Sequence, residues 1–596
     1  MTITKEAYVD LLEKYEKVKK LIEEDSKSDP ENEPYLSKYI AKPLLIGMKA
    51  NIENLLRNRT PETKEYIKLT AMLGVTLLNL GKISVETEEI SVGEKYLTKC
   101  QEVIEKYETH PEFIITSLRT YNEIGLIWWK REVEKAKVYL EKAETLYKQF
   151  KETGLIPVDL HDLFKIDIPG YDEDVGKTNF EKDHTLTLYY LAQIYGALND
   201  SLKSAVYCHI TLQRQLESDD YEMIDWALNA ATLSQFFMEK NGFKQARHHL
   251  AASSYMLEIY EGQLNQITDQ NEYEAKIENF KHRSADVARC WAKYGLLLLS
   301  NSRERLLKHT EDIDATCSLS PDLAKLELNA DSSVSREDLA SLEFPTLNVA
   351  VHESQVTDQF VLTLDDARKV FLNVKMWLNR AHSYYTLNNL ASDYIEIVQD
   401  QAQMYLNLSF FEDNPENQAK MHKRRADLLE NVLKEVNPTY YMQYCRQMWY
   451  ELAQSYGEIL HIKMDKLKES NGRPTPHTLT KINSLVDKGI LHYNNFINSF
   501  KDVSTNQIPR TIDKDYQKPL LQAYFHIGAL YSRYITLDKQ VMLNNVKASL
   551  EAYKKVTEYC VHNVDADKLI PTEVSICREM ITLLPMKINK LEHEIL

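Results

Sequence analysis

Two adjacent imidazoles, His248 and His249, are the side chains here that could most readily hold a metal or shuttle a proton. They stand in a stretch of helical periodicity, where neighbours point about 100° apart. The pair cannot close on one ion without a third element, so an exposed helix surface is expected for both. Seven cysteines (Cys100, Cys208, Cys290, Cys317, Cys445, Cys560 and Cys577) are scattered, and none forms a CxxC pair. Several fall in helical patterns, so buried, reduced thiols are expected. The chain has no HExxH, no clustered Cys/His spacing, no GxGxxG and no GxxxxGK[ST]. Carboxylates are abundant, but no pair stands in an apolar setting that would split their pKa values. A protein without catalysis, metal or cofactor is expected; catalytic residues far apart in sequence would leave no such trace.

One run is basic: Lys420-Met421-His422-Lys423-Arg424-Arg425. A solvated helix face is its first reading, a contact with an acidic segment of this chain or of a partner its second, and a nuclear signal its weakest.

The elements behind these residues are helix hairpins. In residues 226–237, Leu233, Ser234 and Phe237 share one helical face. After Asn241-Gly242, Ala246, Leu250 and Ser253 share the next. Small residues at Ser234 and Ala246 let two helices approach closely, with Phe237 and Leu250 filling the space beside them. That is the logic of a tetratricopeptide repeat, with Leu-Gly-x2-Tyr on helix A and Ala-x3-Phe on helix B. Upstream, Leu188, Leu191, Ala192 and Tyr195 fall on one face, Asn199-Asp200 break the helix, and Ala205, His209 and Leu212 line its partner. Leu191 and Leu233 are equivalent and 42 residues apart, against a usual period of about 34. The loops are therefore longer than standard.

Earlier units pair Leu73, Gly74 and Leu77 with Gly93, Leu97 and Cys100, and Ile124, Gly125 and Trp128 with Ala136, Leu140 and Ala143. Four hairpins therefore precede residue 260. Between 311 and 343 stand nine acidic and two basic residues in weakly periodic sequence. We read residues 306–350 as an acidic, partly disordered linker. Helices resume at Asp366. Trp449, Leu452, Ala453 and Tyr456 repeat the helix A pattern, as do Tyr524, Ile527, Gly528 and Tyr531, with Ser549, Tyr553 and Val556 as a last helix B.

With 596 residues the chain exceeds one compact core. Only 16 Gly and 17 Pro, with 36 Tyr, suit long helices with aromatic wedges. The fold expected is all-α: an α-solenoid of tetratricopeptide-like hairpins in two halves, 1–305 and 351–596. A net charge of −17 argues against nucleic acid and suits a basic protein partner. No apolar run approaches the ~18 residues of a membrane span, and the start of the chain lacks a signal-peptide core. A cytosolic monomer without membrane contact is expected.

With Leu191, Ala192 and Tyr195 centred on the packed face, Tyr190 and Gln193 point away from it. Thr232 and Gln235 do the same one repeat later, at the same i, i+3 spacing. In a tetratricopeptide array that side of helix A is the concave groove. A row of uncharged hydrogen-bonding side chains with a tyrosine suits a partner helix.

The runs 188–193, 229–236, Ala288-Arg289-Cys290-Trp291, 396–400, 420–425 and Leu583-Leu584-Pro585 make the chain resemble the kinesin-binding protein family, the KIF-binding proteins. The likeness spans nearly the whole chain, is closest over 184–295 and 390–430, and weakest over 50–70 and 305–350. Residues 50–70 depart from the vertebrate-type pattern by lacking its long acidic insertion. The resemblance implies an α-solenoid in two halves that holds the motor domains of a subset of kinesins and blocks their attachment to microtubules. It implies motor contacts at Tyr190, Gln193, Gln215, Thr232 and Gln235; the geometry alone marks all but Gln215. It also implies a role in microtubule-based transport, in the cytoplasm and at the cytoskeleton. A generic tetratricopeptide scaffold or co-chaperone that binds peptide tails is the alternative. It would need a Lys/Arg cluster where Gln, Thr and Tyr stand.

Overall fold

A computed structural model describes residues 5–57, 59–61, 63–165, 173–309, 334–469, 474–502, 504–509, 512–563 and 565–595. Among them are twenty-one α-helices and no strand. The helices form two compact units.

The first unit contains α1 (Lys5–Glu23), α2 (Leu36–Arg57), α3 (Lys64–Glu86), α4 (Ile90–Ile104), α5 (Ile114–Trp129), α6 (Val133–Thr153), α7 (Glu173–Ala197) and α8 (Ser201–Ser218). Consecutive helices pack as antiparallel hairpins, α3 with α4, α5 with α6 and α7 with α8. Among the first members, α5 also touches both α3 and α7, and the three form one layer. The division between units falls inside α9 (Met223–Glu239), after Phe236.

The second unit holds α10 (Phe243–Leu264), the forty-residue α11 (Gln270–His309), and, after α12 (Arg336–Ala340) of the first unit, α13 (Ala350–Glu353). It continues with α14 (Leu364–His382), α15 (Ala391–Phe411), α16 (Pro415–Glu435), α17 (Pro438–Glu469), α18 (Pro476–Asn498), α19 (Lys514–Ser532), α20 (Lys539–His562) and α21 (Pro571–Ile595). Each packs on the next, and α15, α17, α19 and α21 form a layer of their own. Each unit is a solenoid of helix hairpins.

The hairpins close where small residues were expected. A Cβ on Gly125 of α5 would lie 2.9 Å from Leu140 Cγ of α6, and one on Gly528 of α19 only 2.7 Å from Tyr553 Cε1 of α20. Ser549 donates to the Gly528 carbonyl at 2.8 Å, so the same close approach also makes a hydrogen bond. The turns follow local chemistry. Asn199 takes φ 62°, and the Asp200 side chain caps α8 by accepting from the Lys203 amide. Asn241, at φ 60°, turns the chain into α10.

Several expectations need correction. The units divide after Phe236, not near 305. Of the acidic stretch 306–350, residues 310–333 lie outside the described residues, but 334–348 pack into the first unit. Val334, Leu339, Leu342 and Phe344 are buried there. The Phe344 ring meets Trp226 edge-on at 5.1 Å and His209 at 4.6 Å. These aromatic contacts reward a segment whose composition reads as linker. His249 is not exposed but fully buried, with Nδ1 2.8 Å from the Gln245 carbonyl. His248 is half-buried and its Nδ1 lies 2.8 Å from Glu353 Oε1. By composition α3 is long and apolar enough to cross a membrane, with mean hydropathy 1.2, but 78% of that window is buried inside the protein. Of the cysteines, Cys100, Cys445 and Cys577 are buried and Cys208, Cys290 and Cys560 are half-buried; Cys317 lies outside the described residues.

Two buried imidazoles make stability depend on pH. The His184 ring lies flat on Tyr147, centroids 3.4 Å apart, and burial, with Arg214, pushes its pKa down to about 3. Burial, with Arg425, pushes His422 down to about 4. Both stay neutral in the fold, while an unfolded imidazole takes up a proton below about 6.5. The unfolded chain therefore binds more protons in that window, and stability falls as pH drops. By pH 5 the loss should approach about 2 kcal/mol per imidazole. Thermal midpoints followed from pH 7 to 5 should decline, and His184→Phe should decline less; equal slopes would refute the assignment. A second expectation concerns packing. Gly528→Ala should cost about 1–3 kcal/mol by overpacking. Gly457→Ala, mid-helix in α17 with nothing within 4 Å, should gain up to about 1 kcal/mol. Opposite shifts in the thermal midpoint are the signature.

Candidate partner-binding face

The face begins with what α7 buries. Leu188, Leu191, Ala192, Ile194 and Tyr195 are buried. Leu191, Ile194 and Tyr195 join Ala136 and Leu140 of α6 in one cluster, with Trp128 and Trp129 of α5 packed on it. The Tyr195 hydroxyl donates to Glu141 at 2.5 Å, and Lys203 sits 4.2 Å above its ring. These contacts fix the rotation of α7 about its axis, and so fix what the opposite side presents.

Gln193 is exposed, as its spacing predicts. Tyr190 is half-buried: its ring flanks the same apolar cluster and lies 5.7 Å from the Tyr189 ring. Burial, then the Glu123 carboxylate of α5, pushes its hydroxyl up to about 12, so the group stays a neutral donor. On α9, Leu233 and Ser234 are buried, Thr232 is exposed and Gln235 half-buried. Gln215 is half-buried in the last turn of α8, where its carbonyl accepts from the Asp219 amide. Tyr190 and Gln193 thus share one turn of α7, Thr232 and Gln235 one turn of α9, and Gln215 stands on a second-layer helix.

Sequence reasoning missed the charged groups between the same first-layer helices. Arg119 of α5 donates through Nε to Asp183 of α7 at 2.8 Å. Asn122 Nδ2 donates to the Asp183 carbonyl at 3.4 Å, and Thr187 to Asn122 Oδ1 at 3.0 Å. Burial raises the Asp183 carboxyl against the pull of Arg119. Burial also raises Glu123, which Lys82 and Arg119 pull down and Glu86 pushes further up. The signal was present in the sequence: Asp183, Thr187 and Tyr190 are spaced i, i+4, i+7, so one stripe of α7 carries all three.

A second polar seam joins α6, α7 and α8. Glu181 accepts from Tyr147 at 2.7 Å and also binds Lys151 and Arg214. The Glu181 environment is partly desolvated, but these donors prevail and hold its carboxyl down at about 2. Among the described residues no group of three or more His, Cys, Asp or Glu side chains is placed to hold a metal ion. The arrangement offers neutral donors and acceptors, one anchored aromatic ring and a frame of paired charges, which is binding chemistry.

The family description "KIF-1 binding protein C terminal" matches residues 224–591. The chain is 36% identical over 601 residues to the KIF-binding protein of Drosophila melanogaster, covering 99% of this chain and 98% of that one. It is 32% identical over 618 residues to the KIF-binding protein of Homo sapiens, covering 98% of each. Among solved structures, a cryo-electron-microscopy structure of KIFBP matches with a TM-score of 0.64 at 27% identity, covering 99% of both chains. End-to-end likeness in sequence and in fold places the chain in one family: it belongs to the KIF-binding proteins.

Proposed function

We propose that this chain is a non-enzymatic regulator of kinesin motors. It binds the motor domains of a subset of kinesins, keeps them from attaching to microtubules, and so regulates microtubule-based transport. The observation that carries this reading is the match along 97–99% of the chain to relatives named for binding KIF proteins. The protein acts as a monomer in the cytoplasm, at the microtubule cytoskeleton, without a cofactor.

The mechanism is competition. A kinesin motor meets acidic tubulin through a basic surface that carries a helix. A chain of net charge −17 presents a field of the same sign as tubulin and draws that surface in. The grip then comes from Tyr190, Gln193, Gln215, Thr232 and Gln235. Tyr190 suits the central role, because the α5–α7 cluster already fixes its ring and little freedom remains to be lost on binding. Charge sets the rate of encounter and the polar row sets the lifetime of the complex.

Co-sedimentation of a panel of kinesin motor domains with microtubules, with and without this protein, tests the reading directly. At least part of the panel should leave the pellet; a panel that stays bound at every concentration rejects it. Association with a responsive motor should slow as salt rises, because exposed charges are screened within about 8 Å at physiological ionic strength. An on-rate indifferent to salt removes steering from the mechanism. Combining Tyr190→Phe, Gln193→Ala, Thr232→Ala and Gln235→Ala should weaken motor binding well over tenfold, at about 1 kcal/mol per lost hydrogen bond. The exposed Gln193 and Thr232 changes should each alter stability by less than about 0.5 kcal/mol. Leu191→Asp is the contrast: it forces a charge into the α6–α7 contact and should unfold the first unit. A folded quadruple variant that still strips motors from microtubules would place the grip elsewhere.

A further inference from the structure

The basic run of α16 is divided by its helix into two jobs. His422 and Arg425 turn inward; Arg425 is only 2% exposed and its Nη2 reaches Glu451 at 3.3 Å. Lys420, Lys423 and Arg424 are exposed. They stand along a groove of about 1030 Å³ between α16 and α18, over the C-terminal half of α17. Lys463 and Lys466 of α17 and Lys481 of α18 line the same groove. Apolar groups, including Ala419, Ile459, Ile482 and Leu485, also line it.

The lining includes one carboxylate, Glu416, and it is already engaged. Lys463 and Lys466 donate to it at 3.0 and 2.5 Å, and together hold it down at about 2. Lys423 pairs with Asp427, and Lys488 with Glu430 at 3.2 Å. Among the described residues, no carboxylate pairs with Lys420, Arg424 or Lys481. In a chain with 72 basic and 89 acidic residues, this groove inverts the overall balance.

We propose that this groove binds an acidic amphipathic helix of a protein partner, its apolar stripe against Ile459, Ile482 and Leu485 and its carboxylates on Lys420, Arg424 and Lys481. The volume lies at the upper limit of small-molecule sites, roughly 300–1,000 Å³, and suits a row of side chains. The apolar lining separates this occupant from a nucleic acid, which would leave it unfilled. Single strands also need open aromatic platforms. Of the rings lining this groove, Tyr456 is already covered, with His492 stacked on it at 5.8 Å and Lys488 4.7 Å above it, and His477 offers a single exposed imidazole. An amphipathic helix meets both features at once, with anchors at i, i+4 and i+7 and charges along its flanks. This surface is separate from the polar row of α7 and α9, and the inference does not rest on the kinesin reading.

The test uses the full-length protein and a fluorescein-labelled helical peptide with leucine at i, i+3, i+4 and i+7 and glutamate elsewhere. Fluorescence anisotropy compares it with polyglutamate of equal length and with oligouridylate. The Glu/Leu peptide should bind at least about tenfold more tightly than either. Lys420→Glu, Arg424→Glu and Lys481→Glu together should weaken it at least about tenfold, with an unchanged thermal midpoint. If charge reversal perturbs folding, the same three positions changed to Gln serve, with a smaller loss in the same direction. Equal affinity for polyglutamate, tighter binding of oligouridylate, or undiminished binding by a folded triple variant would each overturn the proposal.

Discussion

A helix hairpin of this size cannot bury its own apolar stripe, and everything else in the protein follows from that. The stripe must be covered by the next hairpin, and each hairpin must itself close with its two helices approaching at one point. Gly125 under Leu140 and Gly528 under Tyr553 are such points. At Gly528 the carbonyl also takes a hydrogen bond from Ser549, so close approach brings polar as well as apolar contact. Stacking leaves one side of each first-layer helix without a structural duty. That side is where Gln193 and Thr232 lie exposed.

Apolar stacking does not by itself fix the angle between successive hairpins; directional bonds do. Arg119–Asp183 with Asn122 and Thr187 links α5 to α7. In the second unit Arg289 of α11 grips Asp393 at 2.6 Å and Glu396 at 2.5 Å on α15, and Tyr444 of α17 donates to the same Glu396 at 2.9 Å. An isolated surface ion pair contributes only about 0–1 kcal/mol. Here Arg289 spans two acids and Glu396 serves donors from two helices, so the gain is in geometry as much as in energy. The Arg119–Asp183 seam fixes α7, which carries Tyr190 and Gln193, against α5.

What could be read from the sequence was what short-range periodicity encodes. Leu191, Ala192 and Tyr195 are buried, and Leu233 and Ser234 repeat them, because a 3.6-residue period survives without knowledge of the partner helix. The exposure of Gln193 and Thr232 follows from the same rule. Features that depend on distant contacts were not legible. Phe344 sits against Trp226 and His209, more than 100 residues away in sequence, so the composition of residues 306–350 suggested a linker throughout. Tyr190, expected to point away from the packed face, is half-buried against the cluster that Ala136 and Leu140 of α6 help to build, a contact that depends on another helix. His249 was a readable miss. It lies one residue before Leu250 and three after Ala246, on the stripe already assigned to packing.

Net charge bears on the encounter with a basic partner, but it does not determine what each separate surface of such a protein attracts. At physiological salt the Debye length is about 8 Å, so a ligand at one surface feels the charges within roughly that distance and little of the rest. A chain of −17 can therefore carry a groove lined by Lys420, Arg424, Lys463, Lys466 and Lys481 without its overall charge cancelling that local field. Glu416 tempers it from inside, neutralising part of the repulsion among the lysines, while Lys420, Arg424 and Lys481 have no carboxylate partner among the described residues. The polar row proposed on α7 and α9 follows the opposite logic. Its neutral side chains add no field of their own and offer hydrogen-bond geometry, which salt does not screen. A helical-repeat chain can thus place chemically opposed surfaces on one scaffold, because the packing that stabilises each hairpin leaves the composition of its outward side unconstrained.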